Sequence, residues 1–357
     1  MSRFLQLHLL TFYPPSNLNR DDTGRPKTAT VGGVPRLRIS SQALKRAWRT
    51  SAAFAEHLAD HRGRRTQRLG EEVEKHLRGR GVAADRALAI ARDIAAHFGK
   101  VKTDKATART EQLAFIGQEE WDNAFAVAER MAAGEKIVPQ ATDMLRHTDT
   151  AADIAMFGRM LADNPDFNRE AAVQVAHAIT THRVTVEDDY YTAVDDLKTA
   201  EEDAGAGFVG ELGFGSGVFY LYACIDGALL AKNLGGDAAL AGTACAALAE
   251  AAATVSPRGK QPSFAARARA HYVLAERGDA QPRTLAGAFL HPVEGGDLAA
   301  GSIAALDAWR CKLDRAYGPA AEAKAVMDVA ADSGTLHDIA AFCRQAAMDG
   351  GGPCLSS

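Results

Sequence analysis

FLQLHLL, residues 4–10, is apolar at every position except Gln6 and His8. Such a strand is typical of the centre of a sheet, where neighbouring layers cover both faces. VFYLYACI, residues 218–225, is a second strong strand. Its two tyrosines share one face, whereas phenylalanine, leucine and isoleucine share the other. Both segments are therefore predicted to be strands of a sheet with a buried centre.

Hydrophobic periodicity predicts the elements around these two strands. Further strands are expected at 36–39, 152–157, 172–181 and 264–275, and helices at 41–59, 237–255, 298–317, 320–331 and 335–348. Ser40 or Ser41 is placed to cap the first of these helices. Residues 61–150 are charged and predominantly helical in pattern, which predicts an insertion with its own small core.

Two long segments between these elements are expected to be irregular. Residues 14–35 are predicted to form a polar loop, and loops of this length are often functional. Residues 183–217 are predicted to form an exposed excursion with partial helix near residues 193–200. The order of elements predicts an α+β fold, in which helices pack against a small antiparallel sheet. The insertion at 61–150 and the excursion at 183–217 would be additions to this core.

Composition narrows the class of protein. Of the 357 residues, 47% are hydrophobic and 24% are charged, which excludes disorder and allows a sizeable core. The five cysteines include no CxxC pair, so neither a disulfide framework nor a zinc ribbon is expected, and the usage fits the reducing cytoplasm. No apolar run is long enough to span a membrane, and residues 1–12 lack a signal-peptide cleavage site.

Positive charge is concentrated at the start of the chain. Residues 1–50 contain nine Lys and Arg side chains but only two acidic ones, whereas the whole chain has a net charge of −4. A localised basic face on an acidic body suits a protein that binds one polyanion in one place. The alternative is a solvated basic patch without a ligand.

Residue types in and near this segment match the needs of single-stranded nucleic acid. Such a ligand requires cations and polar groups along its backbone, and flat or apolar side chains against its bases. The first kind is supplied by Asn19, Arg20, Lys27, Arg38, Ser40, Gln42, Lys45, Arg46 and Arg49. The helix N-terminus at Ser40 and Ser41 adds backbone donors for phosphate. Met160, Tyr190 and Tyr191 are candidates for the second kind.

Two enzymatic functions compete with nucleic-acid binding. The acidic clusters Asp21-Asp22 and 187–189 could hold Mg²⁺ for a metal-dependent endoribonuclease. GFGSG, residues 213–217, invites a small-molecule site, but it lacks the Lys-Ser/Thr of a P-loop and precedes a strand instead of following one. A hinge into the next strand is the simpler interpretation of these glycines. No metal-ligand spacing stands out, since Leu58 follows His57 where a metalloprotease helix has Glu.

Several blocks of the chain resemble the CasC family, the repeated backbone subunit of the type I-E CRISPR Cascade complex. The blocks are SNLNRDD at 16–22, Gly32-Gly33, RISSQALKRA at 38–47, GRM at 158–160, AHAITTH at 176–182, TAVDDL at 192–197, SGVFY at 216–220 and NLGG at 233–236. The resemblance implies an RRM-like (ferredoxin-like) palm built from residues 1–57, 172–181 and 217–357. It also implies a helical fingers insertion at 58–171 and an extended thumb loop at 182–216.

The resemblance further implies a function. A CasC-like subunit is a non-catalytic, cytoplasmic RNA-binding scaffold that polymerises along the spacer of a CRISPR RNA and leaves the bases free to pair with a target DNA strand. Its partners would be the CRISPR RNA, the target strand, neighbouring copies of itself in a helical filament and other Cascade subunits, with no cofactor or metal. Carried over by position, the palm contacts would be Lys27, Arg38, Ser40, Gln42, Lys45, Arg46 and Arg49. Arg159 and Met160 would also bind RNA, with Met160 near the kink at which one nucleotide is flipped out at regular intervals. Tyr190, Tyr191 and Thr192 would belong to the thumb.

Overall fold

The computed structural model describes residues 3–104, 106–193 and 208–350. The strands are β1 (Phe4–Ser16), β2 (Thr28–Val31), β3 (Val34–Ile39), β4 (Arg64–Thr66), β5 (Ala114–Ile116), β6 (Val173–Val175), β7 (Ala178–Thr180), β8 (Glu187–Ala193), β9 (Phe208–Asp226), β10 (Tyr272–Gly278) and β11 (Ala323–Asp328). The helices are α1 (Ser41–Arg49), α2 (Ala52–His57), α3 (Leu69–Gly79), α4 (Ala84–Ala96), α5 (Gln118–Ala132), α6 (Ala141–Met144), α7 (Ala152–Phe157), α8 (Gly227–Asn233), α9 (Ala238–Thr254), α10 (Gln261–Phe264), α11 (Leu298–Tyr317) and α12 (Leu336–Gly350). No helix within these residues is long and apolar enough to cross a membrane.

Nine of the described strands form one sheet, and their pairings are antiparallel. The main path runs β11-β10-β1-β9-β7-β3-β2, while β6 and β8 also pair with β9. The short strands β4 and β5 form a separate ladder. The predicted α+β class with an antiparallel sheet is therefore confirmed, and β1 lies at the centre as expected.

Both faces of β1 are buried from Leu5 to Leu10, and the two polar residues in this stretch, Gln6 and His8, form hydrogen bonds with β9. Leu5, Leu7 and Leu9 face the larger core, so Gln6 and His8 point to the opposite face. The Tyr222 hydroxyl donates to Oε1 of Gln6 at 2.9 Å, and the Tyr220 hydroxyl lies 2.8 Å from Nδ1 of His8. Burial lowers the pKa of His8. The alternation predicted for residues 218–225 is confirmed, because it supplies these tyrosines from β9.

Helices cover the sheet on both sides. On one face, α9, α12 and the α1–α2 segment pack against β1 and β9. On the other face, α11 and a 3₁₀ turn at Ala286–Phe289 cover Leu10, Tyr220 and Leu274. Helices α3 to α5 form a separate core with residues from the β4–β5 ladder. This third core confirms the sequence expectation that residues 61–150 pack around a small core of their own.

Two predicted elements have the wrong secondary structure. Residues 152–157, predicted as a strand, form helix α7, which ends at Gly158 with a φ of 78°. A short apolar run does not by itself distinguish a buried helix from a buried strand. Residues 320–331, predicted as a helix, instead contain β11, which pairs with β10 at the sheet edge. Pairing with the sheet overrides the helix propensity of this alanine-rich segment.

Other predicted elements have the right type but the wrong bounds. The strand expected at 172–181 is split into β6 and β7, and the strand expected at 264–275 begins only at Tyr272. The helix expected at 41–59 is divided at Thr50-Ser51, where the Ser51 hydroxyl caps α2. The segment 14–35, expected to be a loop, contains the end of β1, all of β2 and the turn into β3.

The glycine-rich segment 213–217 lies inside β9 and is not a hinge before it. A Cβ at Gly215 would lie 2.8 Å from Cδ1 of Leu37, and one at Gly217 would lie 2.8 Å from Nε2 of His182. These glycines alternate along one face of the strand, so they allow neighbouring side chains to lie against its backbone. The first half of β9 pairs with β8, and we call this hairpin the β8–β9 ribbon (187–193 with 208–214). The ribbon replaces the irregular excursion that was expected there, and the partial helix near 193–200 falls almost entirely outside the described residues.

The turn between β2 and β3 offers a test of this packing. Gly32 and Gly33 have φ values of 61° and 78°, the left-handed pair that a two-residue hairpin turn requires. Replacing either with Ala costs about 1 kcal/mol for the backbone conformation. A Cβ at Gly32 would also collide with the carbonyl oxygen of Leu290, whereas a Cβ at Gly33 meets nothing. We expect Gly32→Ala to lower the melting temperature clearly more than Gly33→Ala in calorimetry; equal decreases would contradict the assigned packing.

Candidate nucleic-acid interface

Helix α1 presents one buried face and one cationic face. The Ser40 hydroxyl accepts a hydrogen bond from the backbone N–H of Ala43 and caps the helix. Leu44 and Trp48 are buried against α9 and the sheet, as their helical spacing requires. The opposite positions carry the polar and basic side chains predicted for this helix, namely Gln42, Lys45, Arg46 and Arg49.

These four side chains line one cleft, which we call the α1 cleft. It has a volume of about 510 Å³ and lies between α1 and the segment that contains β4 and β5. Its lining residues are Gln42, Lys45, Arg46, Arg49, Arg65, Gln112, Leu113, Phe115, Phe157, Gly158, Arg159 and Met160. The structure thus brings Met160 to the same place as four polar residues that are more than a hundred positions away in the sequence.

Few carboxylates balance the positive charges of the α1 cleft. Within the part of the chain that the structure describes, no carboxylate forms an ion pair with Lys45, Arg46 or Arg65. Burial lowers the pKa of Lys45 and also that of Arg49. For Arg49 the positive charges of Arg65 and Arg46 add to this shift. A polyanion in the cleft would relieve this repulsion, because its phosphates would supply the missing negative charge.

One buried carboxylate holds Arg49 in place. The Nε of Arg49 lies 3.7 Å from Oδ2 of Asp153, and its guanidinium lies over the ring of Phe115, 4.5 Å from the centroid. Oδ1 of Asp153 accepts a hydrogen bond of 2.7 Å from the backbone N–H of Gly63. Burial raises the pKa of Asp153 to about 6, although this hydrogen bond and Arg49 oppose the shift. Asp153 and Phe115 therefore orient the guanidinium of Arg49, which still lines the α1 cleft.

Apolar side chains lie beside these cations. Met160 is 75% exposed and Leu113 is 52% exposed. Both line the α1 cleft, where they offer flat or flexible apolar surface to a base. The combination of unpaired cations and exposed apolar side chains is what single-stranded nucleic acid requires.

Arg159 has a different role from the one expected. Its guanidinium is fully buried, where it pairs with the carboxylate of Glu120 and donates to the carbonyl oxygens of Phe115 and Phe167. These partners come from three segments around the α3–α5 core. The side chain therefore connects the segments that form this wall of the cleft. Its buried guanidinium does not face the cleft.

A second group of predicted residues lies around the start of α1. Asn19, Lys27 and Arg38 border a shallow depression at the edge of the sheet. The Asn19 Oδ1 accepts from the backbone N–H of Ser40 at 2.8 Å, so it orders the helix start. The Nη1 of Arg38 donates to Nδ1 of His177 at 2.8 Å, because a guanidinium can only donate. Burial lowers the pKa of His177, and the positive charges of Arg38 and Lys27 lower it further.

Arg20 does not line the α1 cleft. It lines another cleft, of about 480 Å³, together with Arg46 and Arg258. Arg46 therefore borders both clefts. The predicted basic residues form a track around one helix and not a single pocket.

The β8–β9 ribbon carries Tyr190, Tyr191 and Thr192, and these residues do not line the clefts described above. Tyr190 is 67% exposed, and Tyr191 packs over Gly210, the residue opposite it in the ladder. Successive strand residues point to opposite faces, so the two tyrosines lie on different faces of the ribbon. An ion pair of 2.8 Å between Arg25 and Asp188 connects the base of the ribbon to the loop between β1 and β2.

Two of the acidic residues considered for metal binding, Asp21 and Asp188, interact with neighbouring side chains and backbone. Oδ1 of Asp21 accepts hydrogen bonds from Thr23 and from the backbone N–H of Arg25, and the hydroxyl of Thr23 is the main cause that lowers the pKa of Asp21. Asp188 pairs with Arg25. Among the described residues, no group of three or more His, Cys, Asp or Glu side chains is placed to hold a metal ion.

Sequence reasoning missed Arg65, Leu113 and Arg258. The first two lie in the segment that was predicted only as an insertion, and nothing in their local pattern indicates that they meet α1. Arg258 follows α9 in a stretch that contains four basic and no acidic side chains between residues 251 and 275. That local excess of positive charge is the one signal in the sequence that could have indicated Arg258.

Comparisons with known proteins cover nearly the whole chain. A profile of the CT1975-like protein family matches residues 5–348. One solved chain, from a "CRISPR RNA-guided surveillance complex, pre-nicking", is 32% identical with a TM-score of 0.84, over 96% of this chain and 100% of that one. Another, from a "CRISPR RNA-guided surveillance complex", is 26% identical with a TM-score of 0.72, over 95% and 99%. Among curated proteins there is no match.

The burial of the Asp153 carboxyl predicts a pH dependence of stability. Asp153 keeps its proton up to about pH 6 when folded but releases it near its ordinary pKa of 3.8 when unfolded. The folded state binds the extra proton between these values, so this group's contribution to stability falls as the pH rises through that window. Asp153→Asn keeps an acceptor for Gly63 but cannot ionise.

We expect the melting temperature of Asp153→Asn, minus that of the wild type, to increase from pH 4 to about pH 6 and then level off. Differential scanning calorimetry at several pH values measures this difference, and subtraction removes the contribution of the other acidic groups. A difference that does not change with pH would show that the carboxylate is not the buried group assigned here.

Proposed function

Because the chain belongs to the CT1975-like protein family, which confirms the sequence resemblance to CasC-like Cascade subunits, we propose that it is a non-catalytic, CRISPR RNA-binding backbone subunit of a type I-E surveillance complex. In this proposal several copies lie side by side along the guide. They hold its sugar-phosphate backbone and leave its bases free to pair with a target DNA strand.

The observation that carries the proposal is the α1 cleft. It combines Lys45, Arg46, Arg49 and Arg65 with the exposed side chains of Met160 and Leu113. Among the described residues, Arg49 is the only one of these four cations that forms an ion pair with a carboxylate. Cations on flexible side chains recognise phosphates without reading a sequence. A guide of any sequence must be held in this manner, because base pairing with the target supplies the specificity.

The arrangement of the chain supports a division into palm, fingers and thumb. We assign residues 1–57, 172–181 and 217–357 to an RRM-like palm, residues 58–171 to fingers and residues 182–216 to a thumb. The sheet with its covering helices, the separate core of α3 to α5 and the β8–β9 ribbon correspond to these parts. The α1 cleft then lies where the palm meets the fingers.

The proposed partners follow from repetition of the subunit. Copies that contact each other head to tail form an open helix when the rotation does not close. The ribbon, with one tyrosine on each face, is suited to lie between a neighbouring copy and the RNA. Other Cascade subunits would bind at the ends of such a filament, and the assembly would work in the cytoplasm.

The proposal is tested first by titrating labelled single-stranded RNA, several tens of nucleotides long, in a mobility-shift assay with Mg²⁺. We expect a ladder of successive shifts, since repeated subunits load along one strand. A denaturing gel of the same samples follows the length of the RNA. Absence of any shift at low salt would remove the basis of the proposal.

The cleft assignment is tested by the double variant Lys45→Ala/Arg49→Ala. Removal of two charge-assisted hydrogen-bond donors should weaken binding by about 100-fold and reduce the salt slope by about 0.7 for each phosphate that is no longer neutralised. The weakening should be similar for RNAs of different sequence, because both side chains bind the backbone. Fluorescence anisotropy at several salt concentrations measures both quantities.

Arg78→Ala/Arg80→Ala is the matched control for this double variant. Both arginines are exposed, and each pairs with a glutamate outside the cleft, Glu74 and Glu129 respectively. We expect the control to bind RNA as the wild type does. Equal weakening by the two double variants would mean that total charge, and not the α1 cleft, determines binding.

The absence of catalysis is tested with Asp22→Ala. Asp22 belongs to the acidic pair considered for a metal-dependent endoribonuclease. We expect wild type and variant alike to leave RNA intact after prolonged incubation with Mg²⁺, as a denaturing gel would show. Shortened RNA with the wild type that disappears with the variant would favour the nuclease instead.

A further inference from the structure

One acidic group is buried behind the cations of the α1 cleft. The side chain of Asp153, at the start of α7, is 1% exposed and does not line the cleft. Arg49 contacts this carboxyl and also lines the cleft. The carboxyl therefore does not touch a ligand in the cleft, and it can act on one only through its charge and through Arg49.

The two oxygens of the Asp153 carboxyl have different surroundings. Oδ1 accepts the hydrogen bond from the backbone N–H of Gly63. Oδ2 is buried, and among the described residues no group donates a hydrogen bond to it. The Nε of Arg49, at 3.7 Å from Oδ2, is too distant for such a bond. Since Oδ1 is already an acceptor, the proton of the neutral carboxyl lies on Oδ2, the oxygen next to Arg49.

The guanidinium of Arg49 also has hydrogen-bonding capacity that the protein does not use. Within the part of the chain that the structure describes, no oxygen accepts a hydrogen bond from it. Its side chain is 15% exposed and is held by the ring of Phe115 and by the contact with Asp153. Its N–H groups can therefore bind a phosphate in the cleft, whereas an ionised carboxyl behind it attracts the same positive charge.

We propose that Asp153 is a positioning residue for RNA binding: its neutral carboxyl leaves the guanidinium of Arg49 to a phosphate in the α1 cleft, and its carboxylate competes with that phosphate for the guanidinium. The inference rests on the proposed function. A bound phosphate and the carboxylate repel each other across Arg49, so RNA favours the neutral carboxyl. Binding of RNA therefore takes up a proton at Oδ2 of Asp153.

The direction of the pH dependence follows from this competition. Burial raises the pKa of Asp153 to about 6 in the free protein, although Arg49 opposes the shift. A phosphate beside Arg49 raises this pKa further, because it adds a negative charge and draws the guanidinium away from the carboxylate. The RNA-bound protein then holds more protons than the free protein above about pH 6. RNA affinity falls as the pH rises through this window and levels off above the pKa of the bound state.

Other titratable groups lie on the segments packed around α7. Asp149 is buried as well, and burial raises its pKa to about 6. His61 belongs to the segment after α2, and His57 pairs with Glu250 of α9. Charged side chains on the neighbouring segments also include Arg46, Arg62, Arg65, Glu170 and Lys232. Comparison of the wild type with a variant that lacks only the Asp153 charge removes the contribution of these groups.

The test measures the affinity of the wild type and of Asp153→Asn for labelled poly(U) RNA between about pH 5 and about pH 8. Fluorescence anisotropy at constant salt gives the affinity, and thermal melts at each pH establish that the fold is retained. We expect the two proteins to bind equally at the low end and the variant to bind about threefold more tightly at the high end, since asparagine cannot ionise. A residue that only supports the fold would weaken binding by the same factor at every pH.

The role of Arg49 is tested by repeating the comparison without its guanidinium. Arg49→Gln is compared with Arg49→Gln/Asp153→Asn over the same pH range. We expect most of the difference caused by Asp153→Asn to disappear in this background, because the carboxyl then has no guanidinium to withdraw from the phosphate. An unchanged difference would show that Asp153 does not act through Arg49, and the inference would be wrong.

The outcomes separate this inference from the proposed function. If the wild type binds RNA and its affinity depends on pH as that of Asp153→Asn does, Asp153 is not a positioning residue and the proposed function stands. If Asp153→Asn weakens binding equally at every pH, the carboxyl is a structural support and the inference again falls. If the wild type binds no RNA at any pH, the inference and the proposed function fall together.

Discussion

The pairing of β1 with β9 is the contact on which the rest of the structure depends. From Phe4 to Ser16 the two strands run antiparallel at the centre of the sheet, and each has one face in the larger core and one under α11. A strand buried on both faces must satisfy every polar group it contains. The tyrosines of β9 form hydrogen bonds with Gln6 and with Nδ1 of His8, while Nε2 of His8 lies 3.4 Å from the Glu276 carboxylate of β10. The loop that carries Arg20 and Lys27 begins where β1 ends.

The arginines of the core and the cations around α1 differ in how their positive charge is balanced. Buried arginines such as Arg159 and Arg169 each lie against a carboxylate, because an unpaired buried charge would be strongly destabilising. Around α1 the arrangement is reversed, since Arg46 and Arg65 are placed close to other cations without a carboxylate among the described residues. The repulsion is tolerable because these side chains remain in contact with water. Folding does not require this grouping, whereas the proposed RNA ligand would account for it.

Sequence patterns predicted the parts of the fold that are set by local periodicity. The strands at residues 4–10 and 218–225, helix α11 and the cationic face of α1 follow from spacing alone. Helix α7 and strand β11 did not follow, because short apolar or alanine-rich runs take the structure that their neighbours impose. The residues that α1 contributes to its cleft were predicted, because they are close together in the sequence, and Met160 was predicted from the resemblance. Arg65 and Leu113 were not predicted, since they approach α1 only through the packing of the insertion.

The continuity of β9 limits how the ribbon can move. The same nineteen-residue strand forms the ribbon at one end and the centre of the sheet at the other. A slip by one residue would exchange the tyrosine and leucine faces of β9, and it would bring Phe214 or Ser216 to positions where only glycine fits against Leu37 and His182. The ribbon therefore cannot slide along its own axis to accommodate a ligand. Any adjustment of the ribbon to RNA or to a neighbouring copy is therefore limited to a rotation about its base, where β9 continues into the sheet.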